Sequence, residues 1–338
     1  MIEISKDKSL NGNIITGIGS ALVDLLIHES DSFLTELGKE KGGMTLVESR
    51  DIDAILEKTQ QTPLVVPGGA ACNTIVGVGQ LGGSARFIGQ RGDDAPGELY
   101  QNALEKCHVE PVFYTSATPT GRVLSVITPD AQRSMFTCLG ASTELNPEEI
   151  TPALFKDTAI AVIEGYLLFN PDLMTACLES ASKAGALIAL DLASFEVVEA
   201  TKPLLEKIVG AHVDILIANE DEARAYTGHS DEGMALDALA AQAPLAVLKK
   251  GARGSCLAHD GRIVEILPET GNPATDTTGA GDLWAAGFLF GLAHDFSLED
   301  SGHLASLLGY EVCQVVGAHI PQAGWQRIHT FMKEKDMA

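Results

Sequence analysis

Short runs of Val, Ile, Leu and Ala recur along the chain, separated by longer amphipathic stretches. Asn13–Ile18, Ala85–Ile88, Ala159–Glu164, Leu187–Leu192, Ile215–Ala218 and Leu245–Lys249 read as strands. Their near-continuous apolarity is that of strands covered on both faces, and Asp94–Lys106 and Pro171–Ala184 between them carry helical periodicity. This rhythm predicts an α/β fold, a three-layer sandwich whose central, mostly parallel sheet is flanked by helices. Two stretches break the rhythm. Leu25 to Val47 holds short apolar pieces around Gly42-Gly43. Pro111 to Gly140 holds three β-like pieces, Val112–Thr115, Arg122–Thr128 and Ser134–Leu139, the last two joined by a Pro129-Asp130 turn. Strands without intervening helices predict a small β-sheet lid made of residues 25–47 and 111–140. The body is then 12–24, 48–110 and 141–335. Extra edge strands on the main sheet are the plainer alternative.

One segment carries the chemistry. Asp276-Thr277-Thr278-Gly279-Ala280-Gly281-Asp282 runs into Leu283–Ala293, which has no charged residue and reads as a fully buried helix. Gly287 and Gly291, four apart, predict close backbone packing along one helix face. Gly279 and Gly281 let the backbone approach a ligand, and a helix start offers unpaired N–H groups and partial positive charge. An anion is the natural ligand there. Asp282 is the one side chain at the loop's end that can take a proton. A carboxylate in this place normally caps the helix. Beside an anion hole it can instead deprotonate an attacking hydroxyl while Gly279, Ala280 and Gly281 hold a migrating phosphoryl group.

The segment resembles the D-T-x-G-A-G-D signature of the ribokinase-like (PfkB-type) carbohydrate and nucleoside kinases, closest to bacterial members labelled sugar kinase or adenosine kinase. The resemblance implies a ribokinase-like fold, ATP as co-substrate, Mg²⁺, and Asp282 as the base. It also implies a site for a monovalent cation such as K⁺ near Asp276 and Thr278. Other segments match in order. Gly17 to Asp24 is similar to the family's first sugar-contacting segment, with Asp24 receiving substrate hydroxyls. Pro67-Gly68-Gly69-Ala70-Ala71-Cys72-Asn73 and the following Leu81–Gly97 resemble the N-terminal signature, placing Gly68, Gly69 and Asn73 at the substrate. Glu164 matches a carboxylate that reaches a substrate hydroxyl. Asn219-Glu220-Asp221-Glu222 resembles the N-x-x-E motif, with Asn219 and Glu222 holding Mg-ATP through water; an acidic first turn is the structural alternative. Lys249, Gly251, Gly254 and Gly317 fall where the family lines its nucleotide pocket.

Other chemistries are excluded. Gly77-Val78-Gly79-Gln80-Leu81-Gly82 fits G-x-G-x-x-G, but Ala70–Val76 before it reads as helix, whereas a dinucleotide fingerprint follows a strand. No Walker A pattern occurs. The formal net charge of −23 argues against nucleic acid or an anionic membrane as partner. Met1 to Asn11 lacks an apolar core of a secretory signal, and no run reaches the roughly 18 apolar residues of a membrane span. With six scattered cysteines read as free thiols, a cytoplasmic setting is expected. The resemblance implies a small sugar as acceptor or, alternatively, a nucleoside phosphorylated on its 5′-hydroxyl. Few aromatics favour a sugar, while Phe136, Tyr166, Phe169 and Phe195 are candidates for a base slot. A catalytically silent sugar-binding protein is the third reading, which the retained base, anion hole and N-x-x-E disfavour. Lid strands with open edges can pair across a homodimer or stay single.

Overall fold

The computed structural model describes residue 4 and residues 12–38, 41–130 and 132–335. The reading of Met1 to Asn11, residue 4 apart, lies outside the described residues, as do positions 39, 40 and 131 of the expected lid. Fourteen strands among the described residues, numbered in chain order, form two sheets. Across the larger, nine-stranded sheet lie β14 (Arg262–Ile266), β13 (Ser255–His259), β12 (Leu245–Lys249), β11 (Ile215–Asn219), β10 (Leu187–Asp191), β9 (Thr158–Glu164), β1 (Ile14–Ile18), β5 (Ser84–Gly92) and β6 (Val109–Ser116). From β12 to β6 every neighbour is parallel, and the β13–β14 hairpin adds an antiparallel edge.

The apolar runs have period two within them. Ile160 and Val162 of β9 enter one core with Ala189, Ile217 and Val247. Ala161 and Ile163 enter the other with Ile188, Leu190, Leu216 and Leu248. Helices cover both faces, which is why these strands tolerate no polar side until their carboxyl ends. Ala280–Ala293 is buried on all sides, as its sequence demands. A Cβ on Gly287 would stand 2.9 Å from the Ala305 backbone, and one on Gly291 2.5 Å from Ser301 Oγ, so these glycines let the Leu298–Val312 helix settle closely. Gly77 serves the same end, since its Cβ would meet that of Ala286 at 2.6 Å. Gly77 and Gly79 of the G-x-G-x-x-G run are therefore packing residues within Ala70–Gln80, and Gly82 takes the positive φ of the turn that follows.

The smaller sheet has the order β3 (Met44–Leu46), β8 (Arg133–Cys138), β7 (Gly121–Ile127), β2 (Leu22–His28) and β4 (Leu64–Gly68). Two expectations need correction. Val112–Thr115, expected in the lid, belongs to β6 at the edge of the large sheet. It follows the Ala95–Lys106 helix, and a strand–helix–strand crossover lays it parallel to β5 from Ala85↔Val109 to Gly92↔Ser116. Leu64–Gly68, expected in the body, instead pairs antiparallel with β2. Its Pro67 is tolerated because β4 is an edge strand.

Candidate active site

Four consecutive parallel strands end in polar residues: Glu164 on β9, Asp191 on β10, Asn219 on β11 and Lys249 on β12. Register sets Glu164 opposite Asp191 and Asn219 opposite Lys249. This row faces a cavity of about 300 Å³, whose wall is completed by Ala70, Ala71 and Thr74, by Gly165 and Tyr166, by Glu222, and by Gly279, Gly281, Asp282 and Ala285. The carboxyl ends of parallel strands are where such sheets bind ligands.

Gly279 caps the Ala280–Ala293 helix in a left-handed conformation (φ 73°), and no side chain takes up the first-turn amides. A Cβ at this position would stand 2.5 Å from that of Ala318. Asp282 is thus not the cap but lies in the first turn. Its Oδ2 accepts from Asn73 Nδ2 at 2.8 Å, and its backbone carbonyl accepts from Thr74 Oγ1 at 3.1 Å. Burial pushes the Asp282 carboxyl up to about 7; Asp191 and Glu164 push the same way, while the Asn73 hydrogen bond and Lys249 oppose them. A carboxylate poised there exchanges protons readily near neutral pH.

Lys249 Nζ donates to Asp191 Oδ2 at 2.6 Å and lies 3.1 Å from where a Cβ on Gly281 would stand. Burial alone would discharge it, but Asp191, Glu222 and Asp282 hold its pKa above the ordinary lysine value. Asn219 and Glu222 form a reciprocal capping box. Asn219 N and Nδ2 donate to the Glu222 carboxylate at 2.8 and 2.7 Å, and Glu222 N donates to Asn219 Oδ1 at 2.9 Å. Burial, then Asp191, raises Glu222 to about 7.

Glu164, also raised to about 7 by burial, accepts from Ala71 N at 3.2 Å and from Ser20, tying the turn after β1 to the Ala70–Gln80 helix. Gly69 caps that helix at φ 97°, where a Cβ would lie 2.3 Å from Ser20 O. Asp24 sits on β2 against Gly68, where burial raises it to about 7 and Arg133 pulls it down. Asp24, Gly68, Gly69, Asn73, Gly251, Gly254 and Gly317 are not among the residues that line the cavity. Gly251 and Gly254 close the turn between β12 and β13, with Lys250 N donating to Gly254 O at 2.8 Å.

Asp276 is occupied by the loop itself. Its Oδ1 accepts from Thr278 N and Oγ1 at 3.1 and 2.9 Å, and its Oδ2 from Gly317 N and Arg133 Nη2 at 2.9 and 2.6 Å. A cation beside Asp276 and Thr278 would have to displace one of these donors. Arg133 belongs to β8, so this ion pair joins the small sheet to the 276–282 loop. Neither Asp191 nor Arg133 was marked by the sequence, because each acquires meaning from a partner far along the chain.

A glycine loop at a buried helix start, a carboxylate beside it and a row of strand-end polar groups have the layout of a small-molecule kinase site. A model of the pfkB family carbohydrate kinases matches residues 46–323, most of the chain, and the chain belongs to that family. It is 25% identical to adenosine kinase 1 of Arabidopsis thaliana, over 91% of this chain and 96% of that one. Its fold superposes on the crystal structure of adenosine kinase from Sinorhizobium meliloti with a TM-score of 0.84 and 30% identity, covering 95% and 99% of the two chains. A probable sugar kinase from Rhizobium etli CFN 42 gives 0.85 and 28%, covering 97% and 99%. No helix among the described residues is long and apolar enough to cross a membrane.

Proposed function

We propose that this sugar or nucleoside kinase moves the γ-phosphate of ATP to a hydroxyl of a nucleoside, with Asp282 as the general base. The observation that carries the base assignment is the position of Asp282, hydrogen-bonded to Asn73 in the first turn of a glycine-capped helix that opens on the cavity. Asp282 accepts the hydroxyl proton as that oxygen attacks phosphorus in line. The Gly279 and Gly281 amides and Lys249 stabilise the charge on the migrating group; the Ala280 amide, expected to share this role, instead donates to Thr277 O at 3.1 Å. Asp24, Gly68, Gly69, Asn73 and Glu164 orient the acceptor. Gly251, Gly254 and Gly317 border the nucleotide.

The cavity's carboxylates, Glu164, Asp191, Glu222 and Asp282, outnumber its one lysine. Hard oxygen donors in that excess fit Mg²⁺, with Asn219 and Glu222 holding it through water. When bound, the ion neutralises phosphate charge. The small sheet acts as a lid that excludes water over the acceptor. The same reading sets the enzyme in the cytoplasm and pairs two copies through the small sheet's edges, where Met44, Leu46 and Leu64 are exposed.

A nucleoside is preferred to the simple sugar favoured by composition because of three aromatics. Tyr166, Phe169 and Phe195 are 44%, 62% and 42% exposed, and Tyr166 lines the cavity. The turn Gly165–Phe169 packs on the Phe195–His212 helix, so these rings stand on neighbouring elements. Exposed aromatic surface on a cavity-lining turn and the helix beside it suits a planar base. Phe136, by contrast, is core. ADP release with a panel of pentoses, hexoses, ketoses and nucleosides tests the proposal. Nucleosides should turn over best, and Tyr166→Ser should raise their KM about tenfold. Faster turnover of a free sugar would restore the sugar reading, and no turnover at all would favour a silent binding protein.

A further inference from the structure

Asp191 enters the reading above only as one of the cavity's four carboxylates, yet the lysine in that cavity depends on it. Lys249 ends β12 and Asp191 ends β10, so the lysine side chain crosses over β11, a lateral span of roughly 10 Å. There its Nζ meets Asp191 Oδ2 at 2.6 Å and stands over Gly281, the second glycine of the anion loop. Asp191 is itself fixed. Its Oδ1 accepts from Ala193 N at 3.1 Å, and Ala193 adopts φ 67°, a left-handed backbone that disfavours any residue with a Cβ. Strain of this kind persists only where the surroundings impose it. Among the described residues Lys249 is the only Lys or Arg that lines the cavity, and Glu222 and Asp282 face it there as competing partners.

We propose that Asp191 is a positioning residue for phosphoryl transfer: it holds the Lys249 ammonium over the 279–281 loop, turned toward the terminal phosphate and away from the base Asp282. An ammonium has three N–H donors, so it keeps Asp191 while giving another to a phosphate oxygen. Released from Asp191, the flexible lysine stem swings to the remaining carboxylates, and pairing with Asp282 blocks the base. Loss of the anchor therefore lowers kcat as well as ATP affinity. The inference rests on the phosphotransfer reading.

The test compares Asp191→Asn, Lys249→Met, Lys249→Arg and the double variant Asp191→Asn/Lys249→Met, each checked for an intact melting transition. Asp191→Asn keeps the side-chain shape and removes the charge. It should raise the KM for ATP about tenfold and lower kcat by a similar factor, with the acceptor KM within about twofold of wild type. The double variant should be no worse than Lys249→Met alone, and Lys249→Arg should recover part of the loss. Calorimetric titration reads the same contact without turnover: Mg-ATP should weaken about tenfold in Asp191→Asn and Lys249→Met, while AMP binding is unchanged. Additive losses in the double variant, equal weakening of ATP and AMP, or an Asn variant that matches wild type would each overturn the proposal. A wild type that binds ATP but phosphorylates no acceptor would count against the phosphotransfer reading alone, because the titrations still report on Lys249.

Discussion

Replacing Asp282 by Asn removes a proton acceptor and a partly buried charge together, and the two losses have opposite consequences. Burial raises the folded carboxyl from 3.8 to about 7, so the folded chain keeps a proton that the unfolded chain gives up in acid. The stability this contributes is fully present below pH ~4 and is lost as pH rises through about 7. A shift of about 3 units is worth about 4 kcal/mol. The carboxylate borders the cavity, and water screens it, so about 2 kcal/mol is the working figure. With an unfolding entropy of about 2.1 cal/mol/K per residue over 338 residues, that moves Tm by about 3 °C. Asp282→Asn should therefore nearly match wild type at pH 4 and melt about 3 °C higher at pH 8. Its kcat should fall by roughly 10² to 10⁴, with ATP affinity largely kept. Scanning fluorimetry at the two pH values, paired with ADP release, measures both. An Asn variant that melts below wild type at pH 8, or turns over within about tenfold of it, would refute the reasoning.

Three further outcomes follow from the same geometry. Because the base must be ionised, kcat should rise with pH through about 7; Asn73→Leu, which removes a hydrogen bond favouring the carboxylate, should move that limb upward by about one unit, and a static or lowered limb would contradict it. Gly279→Ala forces a Cβ onto a left-handed residue within 2.5 Å of Ala318, so ATP turnover should fall by at least about 10²; near-normal turnover would mean that the loop geometry is dispensable. Arg133→Met cuts the tie between small sheet and anion loop and should cost about 2 kcal/mol, which a double-mutant cycle with Asp276→Asn reads directly; coupling below about 0.5 kcal/mol would show the pair to be incidental.

What the sequence revealed and what it concealed divide along a physical line. The glycine loop at the helix start was legible because Gly279, Gly281 and Asp282 lie within one helix turn, and a contiguous segment carries its own geometry. The parallel sheet was legible because strands buried on both faces must be apolar throughout. β6 misled because β-like pieces in series look like one meander, and only pairing with β5 shows that the chain has crossed back to the body. β4 hid behind Pro67, which an edge strand accepts and a central strand does not.

Asp191 was hidden differently, and the reason is instructive for any parallel sheet. The apolar run Leu187–Leu192 swallows it, so it reads as an odd polar residue inside a strand, whereas β10 ends at Asp191 itself. Its neighbours Glu164, Asn219 and Lys249 were noticed because a motif or a strand end announced them. Register then makes all four equivalent: each is the last residue of its strand, and all four line one cavity. Once the parallel order is known, the side chains at the strand ends form a single row, and the charge at each step is set by its neighbours. That row holds two acids, an amide and one lysine, and Glu222 and Asp282 flank the lysine from adjoining helices. A lone cation among so many carboxylates takes its orientation from whichever one is rigid, and the strained turn at Ala193 makes Asp191 that one.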